Sequence, residues 1–471
     1  MISHRLLQLF TSFSSKQMAN FNLYLQSPYH NKDKSLIKLN DAILKFYPNF
    51  NITDKQVAKI YKTVFGKTYN QNYFRVQLSA LTEQAENFLA QQYYEQSKPL
   101  KTAHKLRALN QANHNKLFKK VRKQHNTTQG ETSVRSESHY LYEYMIKQIE
   151  VDYYVNNESR NFEKGLNDLV TSLDEFYLSS RLKLICEQLS QGNVFGRSEA
   201  DIFPKQIATY AKQASFNNNP VVVTYLNLYH SLTEPHNEDW FFRIKNNLKD
   251  YQEQLTKEDL LDVYVYATNY CVRKVNAGAS KYLTELFDLY KFALVSELLL
   301  IEGYIEPFLF KNIVSVALRC KAYEWTKLTI DSHKNKIEKE HRPTAMAYNL
   351  ANYYFYTEAY SKSQQQLFKV EFLDVVYATD YRALLIKIYF EQNEFDALDS
   401  ILESFATFLR RQKISINLKK AYSNFTKLTK QISRTSPRDT KRLQLIKTRI
   451  NEARPLADRQ WLLDKVDELL G

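Results

Sequence analysis

Apolar residues in this chain recur three and four positions apart over most of its length, the spacing of one face of a helix. Ser14-Ser15 precede such a stripe through Met18, Phe21, Leu23, Tyr24 and Leu25, and Ser27-Pro28 ends it. Leu36, Leu39, Ile43, Leu44 and Tyr47 form the next stripe, stopped by Pro48. Thr53 and Asp54 read as a cap and first turn ahead of Val57, Ile60, Tyr61 and Val64. A longer run from Asn70 to Tyr94 passes through Phe74, Leu78, Leu81, Ala85, Phe88 and Leu89. The pattern predicts a small helical domain over residues 1–95. No strand-pair signal follows its last helix, which argues against a winged-helix unit.

Pro99 opens a basic segment predicted to be a single helix over 99–125, with Ala103, Leu106, Leu109, Leu117, Phe118 and Val121 as its apolar stripe. The polar stretch His125–Ser138 lacks large apolar residues and contains Gly130, so it reads as a linker. Residues 96–138 thus form a basic connector helix and linker. Beyond it, Tyr140–Val155 predicts one helix and Phe162–Leu189 two, with a loop at Gln191–Asn193 and Gly196. Further breaks fall near Asn217–Pro220, Thr233–Asn237, Asn276–Gly278 and Glu306-Pro307.

Between about residues 307 and 410 the pattern repeats. Tyr323, Tyr360 and Phe395 are 37 and 35 positions apart. Ten, nine and six positions before each lie Ile313, Val314 and Ala317; Leu350, Ala351 and Tyr354; and Leu385, Ile386 and Tyr389. Three and seven positions after lie Thr326 and Ile330; Ser363 and Leu367; and Leu398 and Leu402. Two apolar stripes flanking a turn cannot cover one another, so successive units must stack. The segment Tyr348–Phe355 with Tyr360, Ser363 and Leu367, followed by Tyr381–Phe405, resembles the tetratricopeptide family. The chain departs from that family where Val314 and Ile386 replace small residues and where Thr326, Ser363 and Leu398 replace alanine. With the helical pattern on either side of the resembling segment, an all-α fold is expected: a small helical N-terminal domain, then an α-solenoid of antiparallel helical hairpins over 139–410, with basic helices over 411–471 capping it. The resemblance implies a curved scaffold that binds a protein or peptide.

Composition sharpens this picture. Only 8 glycines and 10 prolines occur in 471 residues, which points to long helices and few special turns. The 34 tyrosines and 28 phenylalanines suit helix-on-helix packing. Cys186, Cys271 and Cys320 are widely separated, as expected of buried reduced thiols and not of a redox or metal motif. The first residues are too polar for a signal segment, and no stretch approaches a membrane span, so a cytoplasmic location without membrane insertion is expected.

No phosphate loop, nucleophile elbow or zinc spacing is present, so no catalytic, cofactor or metal residue is assigned. His230 with His236, and His333 with His341, are expected to be ordinary surface histidines. Glu285 with Asp288, and Asp399 with Glu403, are expected to be solvated helix faces with intrahelical pairing to nearby bases. Charge is the one uneven feature. The chain carries a net +14, yet Gln96–Gly130 holds nine bases and no acid, and Arg410–Arg449 holds thirteen bases and only Asp439. Lys119, Lys120, Arg122, Lys123, Arg410, Arg411, Lys419 and Lys420 are therefore the candidate anion- or partner-binding residues. The sequence favours a non-enzymatic protein- or peptide-binding scaffold. The alternatives are a nucleic-acid or ribosome-associated protein using segments 99–123 and 410–449, and an enzyme with a groove site that the sequence does not reveal.

Overall fold

The computed structural model describes residues 4–129, 134–195, 204–213, 216–371 and 375–471. Among them it contains 23 α-helices and no strand; Ile301 and Tyr304 form an isolated bridge. The chain divides into two compact units, residues 1–223 and 224–471.

The first unit begins with α1 (His4–Thr11), α2 (Ser15–Gln26), α3 (Lys34–Leu44), α4 (Asp54–Phe65) and α5 (Gln71–Gln96). Ser14 and Thr53 cap α2 and α4 through reciprocal hydrogen bonds with Gln17 and Gln56, and the Asn70 side chain accepts from Tyr73 N at the start of α5. These helices enclose a core in which Phe10, Phe13, Phe21, Phe50 and Phe88 meet edge-on or tilted, with ring centroids about 5.4–6.1 Å apart. Then come α6 (Lys98–Gln111), α7 (Asn115–Gln129), α8 (Glu137–Asn157), α9 (Phe162–Phe195) and α10 (Pro204–Ala211).

Three expectations change here. The segment expected to be one basic helix is two, because Asn113 takes a left-handed conformation (φ 55°) and turns the chain between α6 and α7. The expected linker is helical as far as Gln129 and helical again from Glu137; Gly130 lies outside the described residues. The region expected to hold two helices is the single 34-residue α9, which runs through Gln191–Asn193; Gly196 lies outside the described residues. Gly165 inside α9 permits close approach to α8: a Cβ there would lie 2.6 Å from the Tyr154 ring.

The second unit takes in most of α11 (Pro220–Thr233), then α12 (Asp239–Asp250), α13 (Lys257–Asn276) and α14 (Lys281–Val295). After these come α15 (Pro307–Arg319), α16 (Tyr323–His333), α17 (Arg342–Tyr356), α18 (Tyr360–Leu367), α19 (Val375–Glu391) and α20 (Phe395–Arg411). The chain closes with α21 (Ile416–Ser433), α22 (Thr440–Glu452) and α23 (Arg459–Leu470). Each helix from α12 onward packs on the next, and α15, α17 and α19 also pack on one another in order. Thr326, Ile330, Ser363, Leu367, Leu398 and Leu402 are all buried, as are Ile313, Val314 and Ala317. On α17 only Ala351 of its three expected core residues is fully buried; Leu350 and Tyr354 are half-buried, and Tyr348 and Phe355 take the deeper places. Ser363, standing where the family has alanine, satisfies its buried hydroxyl by donating to the Ala351 carbonyl at 2.7 Å.

One turn recurs. Lys321 (φ 58°), Glu358 (φ 60°) and Asn393 (φ 57°) are left-handed, each two residues before the next helix starts at Tyr323, Tyr360 and Phe395. In each, the following amide donates five residues back: Ala322 to Ala317, Ala359 to Tyr354, and Glu394 to Tyr389. This is a Schellman closure of the first helix. Ala279 repeats the bond to Lys274, around Gly278, and His114 repeats it to Leu109 in the first unit. The scarcity of glycine therefore does not mean few turns. Lysine, glutamate and asparagine occupy positions that glycine usually fills.

Candidate functional site

The first basic segment is partly consumed by internal pairing. Lys119, Arg122 and His125 recur every three residues on one face of α7. They meet Glu158, just beyond α8, and Glu150 and Glu143 on α8: Lys119 Nζ to Glu158 at 2.5 Å, Arg122 Nε to Glu150 at 2.8 Å, and His125 Nε2 to Glu143 at 2.8 Å. The Arg122 guanidinium also lies over the Tyr154 ring, 5.2 Å from its centroid. Burial works against the Glu143 carboxylate, but the hydrogen bond and charge of His125 outweigh it and hold its pKa below the usual range. Nearby, burial first and the Arg135 charge second push His139 down to about 4. Lys120 and Lys123 project away, exposed, and make no ion pair with a described residue.

The second basic segment behaves the same way. Lys430 reaches Glu403 (3.4 Å) and Arg434 reaches Asp399 (2.8 Å), which ties α21 and the residue after it to α20. Lys447 meets Asp467 at 2.5 Å. Lys419 Nζ donates to the Arg410 carbonyl at 3.2 Å, satisfying an open acceptor in the last turn of α20. Arg410 itself donates to Thr407 Oγ1 at 3.1 Å. Arg411 and Lys420 are exposed and make no ion pair with a described residue. Arg411 borders a shallow depression of about 450 Å³ shared with Glu403, Thr407 and Phe408. The structure thus gathers Lys119, Lys120, Arg122 and Lys123 on α7 in the first unit, and Arg410, Arg411, Lys419 and Lys420 at the α20–α21 junction in the second.

The acidic pairs are structural acceptors that reach bases on other elements, where pairing within their own helices was expected; Asp288 also pairs with Lys291 of its own helix at 2.8 Å. Asp399 and Glu403 hold the bases on and after α21, while Glu285 and Asp288 both hold Lys245, at 2.5 and 3.1 Å. His230 is buried, stacked on Trp240 at 4.5 Å and paired with Glu234 at 3.0 Å. Among the described residues no group of three His, Cys, Asp or Glu side chains could hold a metal, and no helix is long and apolar enough to cross a membrane. Cys186 and Cys271 are buried and Cys320 is half-buried, all three outside any disulfide, and burial pushes the Cys271 thiol up to about 12.

Sequence reasoning missed a buried polar seam in the second unit. Lys311 on α15 pairs with Asp380 on α19, and the Tyr422 hydroxyl of α21 donates to the same Asp380 at 2.5 Å. One helical turn before Asp380, Tyr377 donates to the Pro307 carbonyl at 3.1 Å, and two turns after it Lys387 pairs with Asp458 at 2.9 Å. Glu391, at the end of α19, accepts from Trp461 Nε1 at 2.7 Å and Lys465 Nζ at 2.8 Å. Lys311 and Lys387 are only 8% and 6% exposed, so their charges depend on these partners. Burial opposes the Lys387 ammonium, yet Asp458 more than compensates and its pKa stays raised. Burial, then the Asp380 charge, lift the Tyr348 and Tyr422 hydroxyls well above the ordinary tyrosine range. The available signal was a lone lysine inside an apolar helix: Lys311 in FLFKNIV and Lys387 in LLIKIYF.

No protein-family model, curated protein or solved structure matches this chain.

Proposed function

We propose that the protein is a non-catalytic interaction scaffold, in which α15–α20 form stacked antiparallel hairpins of tetratricopeptide type that bind a protein or peptide along α15, α17 and α19. The observation that carries this reading is the repeated turn: the same left-handed closure at Lys321, Glu358 and Asn393, each followed two residues later by a second helix. One supersecondary unit repeated in register has little use for a single catalytic pocket, and it serves an extended binding surface well. The partly exposed carboxylates of Asp380 and Asp458, 17% and 29% accessible along the seam, offer such a partner charged groups.

The test is capture of partners by the full chain from the lysate of its own cells, at low and high salt, with and without nuclease. Hydrogen exchange on the recovered complex follows. A protein retained under all conditions, with new protection on α17 and α19, is expected. Loss of every partner on nuclease treatment overturns the reading.

A second reading rests on Lys120, Lys123, Arg411 and Lys420, which are exposed and unpaired with described residues while their neighbours are paired. Unpaired surface bases hold nucleic-acid phosphates, with binding that weakens steeply as salt rises. If that is their role, replacing the four with alanine flattens the salt dependence of RNA binding in a filter assay.

A further inference from the structure

Helix α4 closes on Gly66, whose left-handed conformation (φ 65°) turns the chain into a polar loop that leads to α5 at Gln71. Val57, Ile60, Tyr61 and Val64 bury one face of α4. Lys55, Lys59 and Lys62 lie one turn apart on the opposite face, all exposed, over about 10.5 Å of helix. Lys67 in the loop and Arg75 on α5 are exposed as well. Residues 55–82 contain these five bases and no acid, and none of the five makes an ion pair with a described residue. The same corner carries two tyrosines that the core does not absorb. Tyr69 and Tyr73 meet the buried Tyr61 ring edge-on, with centroids 5.2 and 6.4 Å away, and Tyr73 meets Phe65 in the same way at 5.3 Å. These contacts fix both rings, yet the two residues remain 42% and 43% exposed. Thr68, Gln71 and Asn72 around them are exposed and offer hydroxyl and amide groups.

We propose that this corner of the first unit binds single-stranded RNA, with the lysines along the phosphates and the two tyrosines stacked on bases. Five unpaired bases with no acid among them fit a polyanion. The fixed, exposed rings favour a single strand over a duplex, whose bases are already stacked on one another and offer no open face. An acidic peptide would answer the charge alone. The hydroxyl and amide groups beside the rings can bond to ribose 2′-hydroxyls, which DNA lacks. None of these residues belongs to the two basic segments, so the site stands apart from Lys120, Lys123, Arg411 and Lys420 of the second reading above.

Fluorescence anisotropy of a labelled oligouridylate of about 12 nucleotides, titrated with the full chain at about 50 to 200 mM salt, tests this. The wild-type chain binds, and more weakly as salt rises. Y69A/Y73A weakens binding at least about 30-fold, because two stacked bases lose their platform. Y69F/Y73F keeps the rings and binds as the wild-type chain does. K55Q/K59Q/K62Q makes the logarithmic salt dependence shallower by about 2, from about 0.7 for each of three phosphates. The lysine variant is changed only on the solvent face of α4, so it tests the site independently of any loss of packing at the tyrosines. Binding that is lost on replacing Lys120, Lys123, Arg411 and Lys420 but unaffected in Y69A/Y73A places the RNA on those four bases; the second reading then stands and this proposal falls. No binding at the lowest salt overturns it. So does equal affinity for oligodeoxyuridylate or for an RNA duplex, and so does polyglutamate that competes equally at equal charge.

Discussion

Replacing Lys321 and Glu358 with glycine stabilises the second unit. Both residues hold φ near +60°, are exposed, and make no ion pair with a described residue, so substitution removes little besides strain. A side chain in the left-handed region costs about 1–2 kcal/mol. Glycine relieves that strain but gives the unfolded chain about 0.5–1 kcal/mol of extra entropy. The balance is a gain of about 0.5–1 kcal/mol for each of K321G and E358G. The sites are 37 residues apart in sequence and share no described partner, so the double variant gains about 1–2 kcal/mol by addition. Asn393 adopts the same φ at lower cost because asparagine tolerates this region, and N393G changes stability by less than about 0.5 kcal/mol. The opposite substitution, Glu358→Val, puts a β-branched side chain there and destabilises by more than about 1 kcal/mol. Guanidinium titration followed at 222 nm reads all five variants. A loss of stability in K321G and E358G, or a neutral E358V, refutes the argument that backbone strain is what these turns spend.

Gly165→Ala forces the Tyr154 ring of α8 away from its place against α9 and costs about 1–3 kcal/mol, read as a lower urea midpoint of the first unit. Lys387→Met leaves Asp458 without its buried partner; because Asp458 is partly exposed, the expected loss is about 2–3 kcal/mol, and thermal unfolding of the second unit at a lower temperature checks it. His139 has a folded pKa of about 4, below its ordinary 6.5, so the unfolded state binds the extra proton. Its contribution is fully present above pH 6.5 and is lost as pH falls toward 4. Urea midpoints across that window decline in the wild-type chain and decline less in His139→Gln.

Helix starts were legible where a polar cap precedes an apolar stripe, as at Ser14, Thr53 and Asn70, because caps act locally. The second-helix core positions were legible for the same reason: Thr326, Ser363 and Leu398 fall on the predicted faces and are buried. The break at Asn113 was not, since asparagine enters the left-handed region only when the packing beyond it rewards the turn. The glycine at position 165 inside α9 was likewise unexplained by local pattern, because its reason is the close contact with Tyr154 of another helix. Of the candidate basic residues, sequence gave the charge of each but not its partner. Lys119 and Arg122 neutralise acids more than 25 residues away, while Lys120 and Lys123, beside them in sequence, stay unpaired with any described residue. The buried seam joins side chains about 70 residues apart, a relation no local pattern reports.

Those long links govern how the second unit comes apart. An array whose helix pairs touch only their nearest neighbours behaves as a one-dimensional chain, fraying from either end at small cost. Lys311 with Asp380, Lys387 with Asp458, and Trp461 with Glu391 each skip over an intervening helix pair. Undocking α23 strips α19 of two partners, and disturbing α19 releases α15 in turn. Terminal fraying is thereby converted into a cooperative opening, so amides in α15 and α23 exchange with closely similar free energies. Assembly carries the matching cost, because the seam forms only after loops of about 70 residues have closed.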